Sequence, residues 1–340
     1  MSSYTVVGAG AIGGTLAWYL VRAGHDVRLV DADPAHVEAV QENGLVLERN
    51  GVREAVEVPV SDLETDLSRG TVLLAVKALA TASASSWIAE RLHPDDCVVS
   101  LQNGLNEAVI ARAVGAERTV GAFVNLFADV VESGVVRDGG AGALRIGELD
   151  GSTSTRVETV VADLQAWGPA EATSNVVGYL WSKLAFGAVL TATALADAPM
   201  ADLIEAHPAA VAGLVREVVG LAGLQGIAVE GFDAFDPHGT LSDDPAPALA
   251  GLVAWLRTQS KDRSGIWRDI AVRRRPTEVP VHYRPVLAMA AERGVAAPLL
   301  ASVVAQIAEV ESDPTSMSVA RLDTLETFAL TTAATQEVAP

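Results

Sequence analysis

Three glycines near the start of the chain have the spacing of a loop that binds a dinucleotide. Gly8, Gly10 and Gly13 form a G-x-G-x-x-G pattern between an apolar β-like run and a helical pattern. There the first glycine permits a tight turn, the second lets the backbone approach a pyrophosphate, and the third lets the helix pack closely on the strand. N–H groups at the helix start, around Ala11 and Ile12, then face the phosphates. We therefore predict a dinucleotide here, although such glycines can also serve only a tight turn.

The acid that ends the next apolar run, HDVRLVD, indicates which dinucleotide binds. Asp31 stands at the end of a predicted strand, where a carboxylate accepts hydrogen bonds from a ribose 2′-hydroxyl and repels a 2′-phosphate. This favours NAD, while NADP stays open because Asp31 can instead cap the turn in VDADP. A nicotinamide cofactor implies hydride transfer, and carbonyl reduction also needs a proton donor.

A lone lysine in an apolar helical pattern is the candidate for that proton donor. Lys183 lies in GYLWSKLAFGAVLTATAL, and no other lysine is present in this stretch. A lysine among apolar residues can also extend its ammonium group to the surface, so the pattern by itself leaves both interpretations open.

Two kinds of element must position these residues, and they predict an α/β fold. From residue 4 to about 147, β-like runs alternate with helical patterns, which is typical of a parallel sheet with crossover helices. From Tyr179 onward, apolar residues recur at helical spacing through 179–196, 208–226, 283–292 and 298–311. We expect a Rossmann-type dinucleotide-binding domain over 1–176, an all-helical substrate and dimerisation domain over 177–330, and a frayed tail over 331–340.

Two local patterns add detail to this organisation. The Gly-Gly pair in GVVRDGGAGALRIGEL predicts a hairpin turn between two β-like runs. The stretch FDAFDPHGTLSDDPAPALA, residues 232–250, is rich in Asp, Pro and Gly and predicts a long loop or lid.

Composition limits the classes of function. The 340-residue chain has a formal net charge of −19, which disfavours binding to nucleic acid or to an anionic membrane surface. Its single cysteine, Cys97, cannot form an intramolecular disulfide, which fits a reducing cytoplasm. Charged or small polar residues interrupt each candidate membrane span, and no spacing of His, Cys, Asp and Glu indicates a metal site.

Further motifs, taken in order, resemble a known family. Lys77 in AVKA and Asn103 in LQNG follow predicted strands, and a later segment, SGIWRDIAVRRRPTEV, contains Ser264, Asp269 and Glu278. Together with GAGAIG and W-x-K-L, these motifs resemble ketopantoate reductases, whose architecture is similar to that of 6-phosphogluconate dehydrogenases. The resemblance extends from residue 4 to about 310.

The resemblance implies roles for individual residues. Lys183 matches the catalytic lysine, Glu278 matches a glutamate beside the substrate hydroxyl, and Asn103 and Lys77 match residues that line the cofactor and substrate site. A 2-keto acid would accept hydride at its carbonyl carbon, and Lys183 would protonate the oxygen. Ser264 matches less well, because Gly265 follows it. A homodimer through the helical domain is also implied.

The chain departs from the family on the side that faces the substrate. Asparagines usually occur four and eight residues after the catalytic lysine, where this chain has Gly187 and Thr191. Thr191, Ser264 and His282 are candidate substrate contacts, although His282 can equally be a packing residue. We therefore expect a reductase of a 2-keto acid or related carbonyl compound. Ketopantoate reductase proper is the nearest alternative, and a non-catalytic dinucleotide sensor is an alternative of another class.

Overall fold

The structure is a computed structural model that describes residues 1–259 and 261–337. Contacts divide the chain into two units, Met1–Leu180 and a second that begins at Trp181. The predicted boundary between 176 and 177 lies four residues before this division (180 minus 176). Because helix α6 (Val176–Thr193) crosses it, the two positions fall in the same element.

Short apolar runs of the first unit form one ten-stranded sheet. The strands are β1 (Ser3–Val7), β2 (Asp26–Val30), β3 (Leu45–Arg49), β4 (Val52–Val56), β5 (Val60–Ser61), β6 (Thr71–Leu74), β7 (Val98–Ser100), β8 (Thr119–Glu132), β9 (Val135–Glu148) and β10 (Ala170–Ala172). The helices are α1 (Ala11–Arg22), α2 (Pro34–Asn43), α3 (Thr81–Ala89), α4 (Glu107–Val114) and α5 (Thr155–Leu164), with 3-10 turns at Ala78–Ala80 and Ala116–Arg118.

The order of the strands reverses direction at one point of the sheet, next to β1. The order is β4-β3-β9-β8-β7-β6-β1-β2-β5, with β10 beside β9. The six strands from β5 to β8 in this order are mutually parallel. The chain builds outward from β1 in one direction through β2 and then in the other through β6. This strand order confirms the predicted Rossmann-type fold. In such sheets, ligands bind outside the carboxyl ends of the strands at the point where the order reverses.

Helices cover both faces of the parallel strands, as their apolar sequences require. Val6 and Leu73 belong to one buried cluster with Leu16 of α1. Their neighbours Val7 and Leu74 belong to a second cluster on the opposite face. Alternate residues of a strand point to opposite sides, so strands that are buried on both faces need continuous apolar runs.

The hairpin predicted at the Gly-Gly pair is wrong in position. The turn lies near Gly134, between antiparallel β8 and β9, and β9 continues through Gly139 and Gly140. The pairing register shifts there, since Ala128 pairs with Asp138 and Leu126 with Ala141. Gly140 has φ of 112°, so the pair forms a β-bulge instead of a turn.

The second unit is helical, as predicted. After α6 follow α7 (Met200–Ala206), α8 (Pro208–Gly223), α9 (Pro237–Thr240), α10 (Ala246–Thr258), α11 (Gly265–Ala271), α12 (Val279–Glu292), α13 (Pro298–Ser312) and α14 (Val319–Glu337), with a 3-10 turn at Pro314–Ser316. The helical periodicities noted in the sequence correspond to α6, α8, α12 and α13.

Two predicted irregular segments contain helix. The supposed loop or lid at 232–250 includes α9 and the start of α10. Asp236 accepts the Gly239 N–H at 2.9 Å and Pro237 follows it, so this Asp-Pro pair starts a helix, a role it can fill as readily as a turn. Helix α14 reaches Glu337 and so includes 331–337 of the expected tail, while 338–340 lie outside the described residues.

Helix α6 is long and apolar enough to cross a membrane by length and composition alone. The expectation that every candidate span is interrupted was too strict, because Lys183 is the one charged residue between 176 and 193. However, 72% of this window is buried inside the protein, and a core helix meets the same criteria.

Candidate active site

The glycine loop after β1 has a backbone path that only glycine fits at two positions. Gly8 has φ of 94°, and a Cβ there would lie 2.7 Å from the backbone N of Val76. A Cβ on Gly13 would lie 2.1 Å from the carbonyl oxygen of Gly8. These glycines therefore bring the start of α1 against the ends of β1 and β6.

Gly10 differs from its two neighbours in the motif. It precedes Ala11 and Ile12, the first residues of α1, and has φ of −70°. A Cβ on Gly10 would meet no atom of the protein within 4 Å. Neither strain nor internal packing requires glycine here, which is the arrangement expected where a ligand phosphate must approach the helix start.

Asp31 joins the glycine loop to the end of β2. Its Oδ2 accepts the Ala9 N–H at 2.7 Å, and its Oδ1 accepts the Asp33 N–H at 2.9 Å. The bond with Asp33 is the turn-capping contact that the sequence analysis left open. The bond with Ala9, which belongs to the glycine loop, was not predicted. A carboxylate has about four acceptor positions, so Asp31 keeps capacity for a ribose hydroxyl.

Lys77 and Asn103 follow β6 and β7 and are both exposed at the carboxyl edge of the sheet. A polar network beneath them joins the two loops. Gln102 donates to the Val76 carbonyl and to the Thr81 hydroxyl, both at 2.8 Å. Asn106 in turn donates to the Asn103 carbonyl at 2.7 Å. Only the polar residues of LQNGLN could have indicated this network from the sequence.

A buried carboxyl group lies just after this network. Glu107 begins α4, and burial raises its pKa to about 7, although nearby backbone N–H groups and the Ser100 hydroxyl oppose the shift. Its Oε1 has no hydrogen-bond partner among the residues that the structure describes. Sequence reasoning did not single out Glu107, because a glutamate in a first helical turn is ordinarily exposed.

In the second unit, Lys183 lies on α6 with only part of its side chain accessible. Burial lowers the pKa of Lys183 to about 8, and the negative charge of Asp233 opposes this shift. The lysine is therefore still mostly protonated at pH 7 while being a stronger acid than an exposed lysine. This environment differs from that of a lysine that extends into water.

Glu278 and His282 lie at the start of α12, which is hydrogen-bonded to α6 at the residue directly after Lys183. The Tyr283 hydroxyl donates to the Leu184 carbonyl at 2.9 Å, and Tyr283 is only 2% exposed. Burial raises the pKa of this tyrosine above its usual range. The bond therefore brings the segment with Glu278 and His282 against the helix that carries Lys183.

The same tyrosine explains the two departures from the family pattern on α6. A Cβ on Gly187 would lie 2.8 Å from the Tyr283 hydroxyl. Thr191 is fully buried, and its hydroxyl donates to the Gly187 carbonyl at 2.7 Å. Glycine at 187 thus leaves room for the Tyr283 hydroxyl, and Thr191 places a second hydroxyl within hydrogen-bonding reach of it.

Ser264 lies at the start of α11. It is 5% exposed, and its hydroxyl accepts the Trp267 N–H at 3.2 Å, so it caps that helix. Asp269, further along α11, accepts hydrogen bonds from Arg273 at 2.9 Å and from Arg275 at 3.0 Å.

Within 1–259 and 261–337, no group of three or more His, Cys, Asp or Glu side chains is arranged to hold a metal ion. Among the candidate site features, the first unit contributes the open glycine loop and the buried carboxyl group of Glu107, and the second contributes the partly buried lysine Lys183.

Comparison with known proteins agrees with both units. Residues 4–151 match the family model described as ketopantoate reductase PanE/ApbA, and residues 175–311 match the model of its C-terminal domain. A 2-dehydropantoate 2-reductase of Mesorhizobium japonicum is 32% identical over 221 residues, which cover 56% of this chain and 68% of the relative.

Two solved structures have the same fold. A PanE/ApbA family ketopantoate reductase from Ralstonia eutropha is 25% identical, with a TM-score of 0.76 over 91% of this chain and 98% of that one. A D-mandelate dehydrogenase, solved with NADH and anilino(oxo)acetate, is 21% identical, with a TM-score of 0.77 over 95% and 99%. With both family models matched in order along it, the chain belongs to the ketopantoate reductase family of NAD(P)-dependent oxidoreductases.

Proposed function

We propose that this enzyme reduces a 2-keto acid with NADH, and that Lys183 is the general acid. The observation that carries the proposal is the ammonium group of Lys183, whose pKa burial lowers to about 8 on the helix that begins the helical unit. A nicotinamide cofactor supplies the hydride when it is bound. Lys183 Nζ donates a proton to the carbonyl oxygen as the C=O π electrons move onto that oxygen, and the product is a hydroxy acid.

The glycine loop supports a dinucleotide as cofactor. Gly8 and Gly13 are required by close backbone contacts, whereas Gly10 is open toward the outside of the protein. This combination fits a pyrophosphate at the start of α1. The backbone N–H groups of Ala11 and Ile12 would bind its oxygens.

Asp31 supports NADH over NADPH. Its carboxylate would accept the ribose 2′-hydroxyl and repel a 2′-phosphate. The related D-mandelate dehydrogenase was solved with NADH.

The remaining site residues have proposed roles that follow the family resemblance. Glu278 would hydrogen-bond the hydroxyl formed in the reaction, and Asn103 and Lys77 would line the site at the sheet edge. Ser264 and His282 are the proposed contacts for the substrate carboxylate. The hydroxyl of Thr191, which is fully buried, is the third proposed contact on the substrate side.

For the substrate, we propose a keto acid other than ketopantoate. Tyr283 occupies the space beside Gly187 where the family usually has an asparagine, so an amide contact is replaced by a buried ring. Two lost hydrogen bonds would each cost about 0.5–1.5 kcal/mol, or roughly one to two powers of ten in kcat/KM together. Ketopantoate reductase proper is the second candidate, because the Mesorhizobium relative bears that name.

A homodimer formed through the helical unit and a cytoplasmic location remain predictions. The first comes from the family resemblance. The second comes from the single cysteine, which is buried as a free thiol.

A panel of 2-keto acids that includes ketopantoate, assayed by oxidation of NADH and of NADPH, tests the proposal. We expect kcat/KM to be higher with NADH, and ketopantoate to be a poor substrate. A ketopantoate value above about 10⁴ M⁻¹s⁻¹ would support the second candidate instead. Higher kcat/KM with NADPH would show that the role given to Asp31 is wrong.

The role of Lys183 is tested by Lys183→Ala on the best substrate of the panel. We expect turnover to fall by roughly 10²–10⁴-fold while NADH binding is retained. Arg257→Ala is the control, since it also removes one positive charge from the helical unit, at an exposed position of α10 where Arg257 pairs with Asp202 and Glu205, and it should leave turnover unchanged. Wild-type turnover in Lys183→Ala would rule out the proposed mechanism.

A further inference from the structure

A short turn in the Asp-rich segment presents an acid at its tip. Phe232 and Phe235 form an antiparallel bridge, in which each backbone N–H donates to the other residue's carbonyl, at 3.1 and 2.8 Å. Asp233 is the second residue of this turn and has φ of 47°. Few residues other than glycine adopt that conformation, and aspartate is among those that tolerate it.

The turn is attached to α6 on both sides of Lys183. Before the turn, the Glu230 N–H donates to the Ser182 hydroxyl at 2.9 Å. At the turn, the Phe186 ring lies 5.9 Å from the Phe232 ring and 5.2 Å from the Phe235 ring.

Helix geometry places Lys183 beneath this turn. Ser182 and Phe186 are four residues apart and share one face of α6, and Lys183 lies three residues before Phe186, next to that face. A turn that is held at Ser182 and at Phe186 therefore lies beside Lys183 on the helix surface. Asp233, at its tip, is the charge that favours the ammonium form of this lysine.

The far side of the turn is also fixed. His238 bonds to the Val229 carbonyl at 3.0 Å, and Asp236 caps α9. The two Phe232 and Phe235 rings pack on each other at 5.4 Å. Since contacts precede and follow Asp233, its backbone has little freedom to move away from α6.

We propose that Asp233 is a positioning residue that keeps Lys183 protonated and oriented for proton donation, and that the cluster of Phe186, Phe232 and Phe235 holds Asp233 in place. The proposal deepens the proposed function and rests on it for its catalytic meaning. Burying an ammonium group favours its neutral form, and a fixed anion nearby compensates for part of that cost. The lysine thereby remains an acid in surroundings that otherwise neutralise it.

Other titratable side chains are present on the segments that pack against α6. Among the described residues they include Glu230 on the irregular segment leading to the turn, and Glu278, His282 and Tyr283 at the start of α12. Asp233 differs from these groups because it lies in a closed turn. Two backbone hydrogen bonds close that turn, and two aromatic contacts hold it against α6.

The test measures the titration of Lys183 directly, without substrate or cofactor. Trace labelling with acetic anhydride across pH 6–11, read by mass spectrometry, reports the neutral fraction of each lysine, and Lys77 and Lys261 serve as internal references. Asp233→Asn removes the charge and keeps a side chain that tolerates positive φ. We expect the Lys183 midpoint to move down by roughly half a pH unit or more.

Asp243→Asn is the matched control, because Asp243 is an exposed acid of the same segment and the change in net charge is identical. It should leave the Lys183 midpoint unchanged. If Asp233→Asn does not fold, Asp233→Gly carries the test, since glycine favours positive φ. An unchanged midpoint in the folded variant, or an equal shift in Asp243→Asn, would overturn the proposal.

A kinetic measurement connects this titration to the reaction. The alkaline decline of kcat/KM for the best keto acid should move down with the Lys183 midpoint in Asp233→Asn, which amounts to about a threefold loss on the alkaline side. If Lys183→Ala is inactive and the profile of Asp233→Asn matches wild type, the inference about Asp233 fails and the proposed function stands. If Lys183→Ala is fully active, the proposed function fails, and labelling still decides whether Asp233 sets the charge of Lys183.

Discussion

The glycine loop is shaped mainly by contacts between backbone atoms, whereas the surroundings of Lys183 are shaped mainly by side chains. At the loop, backbone meets backbone, since the atoms that exclude a Cβ at Gly8 and Gly13 belong to Val76 and to Gly8 itself. Around Lys183, side chains from separate segments meet, and they include a carboxylate, three phenyl rings and a tyrosine hydroxyl. The loop should therefore be sensitive to added volume, and the lysine site to changes of charge and of hydroxyl groups.

The first prediction concerns the binding of the cofactor and adds one methyl group to the loop. In Gly10→Ala the new Cβ meets no protein atom within 4 Å, so folding should be unaffected while the approach of a pyrophosphate is blocked. We expect Kd for NADH to rise roughly tenfold or more, about 1.4 kcal/mol, by titration calorimetry. Normal NADH binding by this variant would show that the phosphates bind elsewhere.

Gly13→Ala is the counterpart of that variant. Its Cβ would lie 2.1 Å from the Gly8 carbonyl oxygen, so the helix must shift away from the strand. We expect a loss of about 1–3 kcal/mol in the free energy of unfolding. Equal unfolding midpoints in urea for the two variants would contradict the distinction between an open and a packed glycine.

A second prediction compares buried charges in the two units. Lys183 has Asp233 nearby, whereas burial raises the pKa of Glu107 from 4.5 to about 7. As pH rises from 4.5 to about 7, the unfolded chain loses this proton before the folded chain does, so Glu107 increasingly destabilises the fold. The penalty is complete above pH 7 and absent below pH 4.5.

Glu107→Gln should therefore raise the free energy of unfolding by about 1–3 kcal/mol at pH 8 and change it little at pH 4. Urea unfolding at both pH values is the measurement. Glu38→Gln, at an exposed position on α2, is the control and should show no such dependence. A gain that is equal at both pH values would mean that shape, and not ionisation, is responsible.

The smallest expected effect tests the contact between α6 and α12. Gly187→Ala gains helix propensity of about 1 kcal/mol but places a Cβ 2.8 Å from the Tyr283 hydroxyl. Tyr283→Phe removes that hydroxyl and its bond to the Leu184 carbonyl, at a cost of about 0.5–1.5 kcal/mol. In the double variant the methyl group has room, so the two changes should together be less destabilising than their sum by about 1 kcal/mol.

Urea unfolding of the four proteins in this cycle gives the coupling energy. Additive changes would mean that the hydroxyl does not limit the space beside Gly187, and would remove the explanation offered for glycine at that position.

The difference between the two sites also decides how much of each could be predicted. Gly8, Gly10, Gly13 and Asp31 lie within 24 consecutive residues, and local pattern predicted their arrangement together with the strands that carry them. The hairpin and the lid were misplaced because Gly-Gly and Asp-Pro pairs are compatible with more than one local structure. In these places longer-range pairing decided between a turn, a bulge and a helix start.

Around Lys183 the contacts join residues far apart in sequence. Tyr283 and Leu184 are separated by 99 positions, and Glu230 and Ser182 by 48. One feature of the sequence could have indicated that Asp233 packs near Lys183. Two of the chain's six phenylalanines lie on either side of Asp233, and a third, Phe186, follows Lys183 on α6. Composition marked the segment as a loop, and no local rule relates FDAF to a helix some 50 residues earlier.

The carboxylate of Asp31 has a consequence for how cofactor preference can evolve. It accepts the N–H of Ala9 at 2.7 Å and so also supports the loop that would hold the phosphates. A substitution that removes the negative charge to admit a 2′-phosphate also weakens or removes the acceptor of the Ala9 N–H in that loop. Such a substitution would therefore weaken the binding of both NADH and NADPH, because both would place their phosphates in the same loop. A successful exchange of cofactor needs a second substitution that restores the acceptor. Libraries that vary position 31 alone should yield weaker enzymes more often than switched ones.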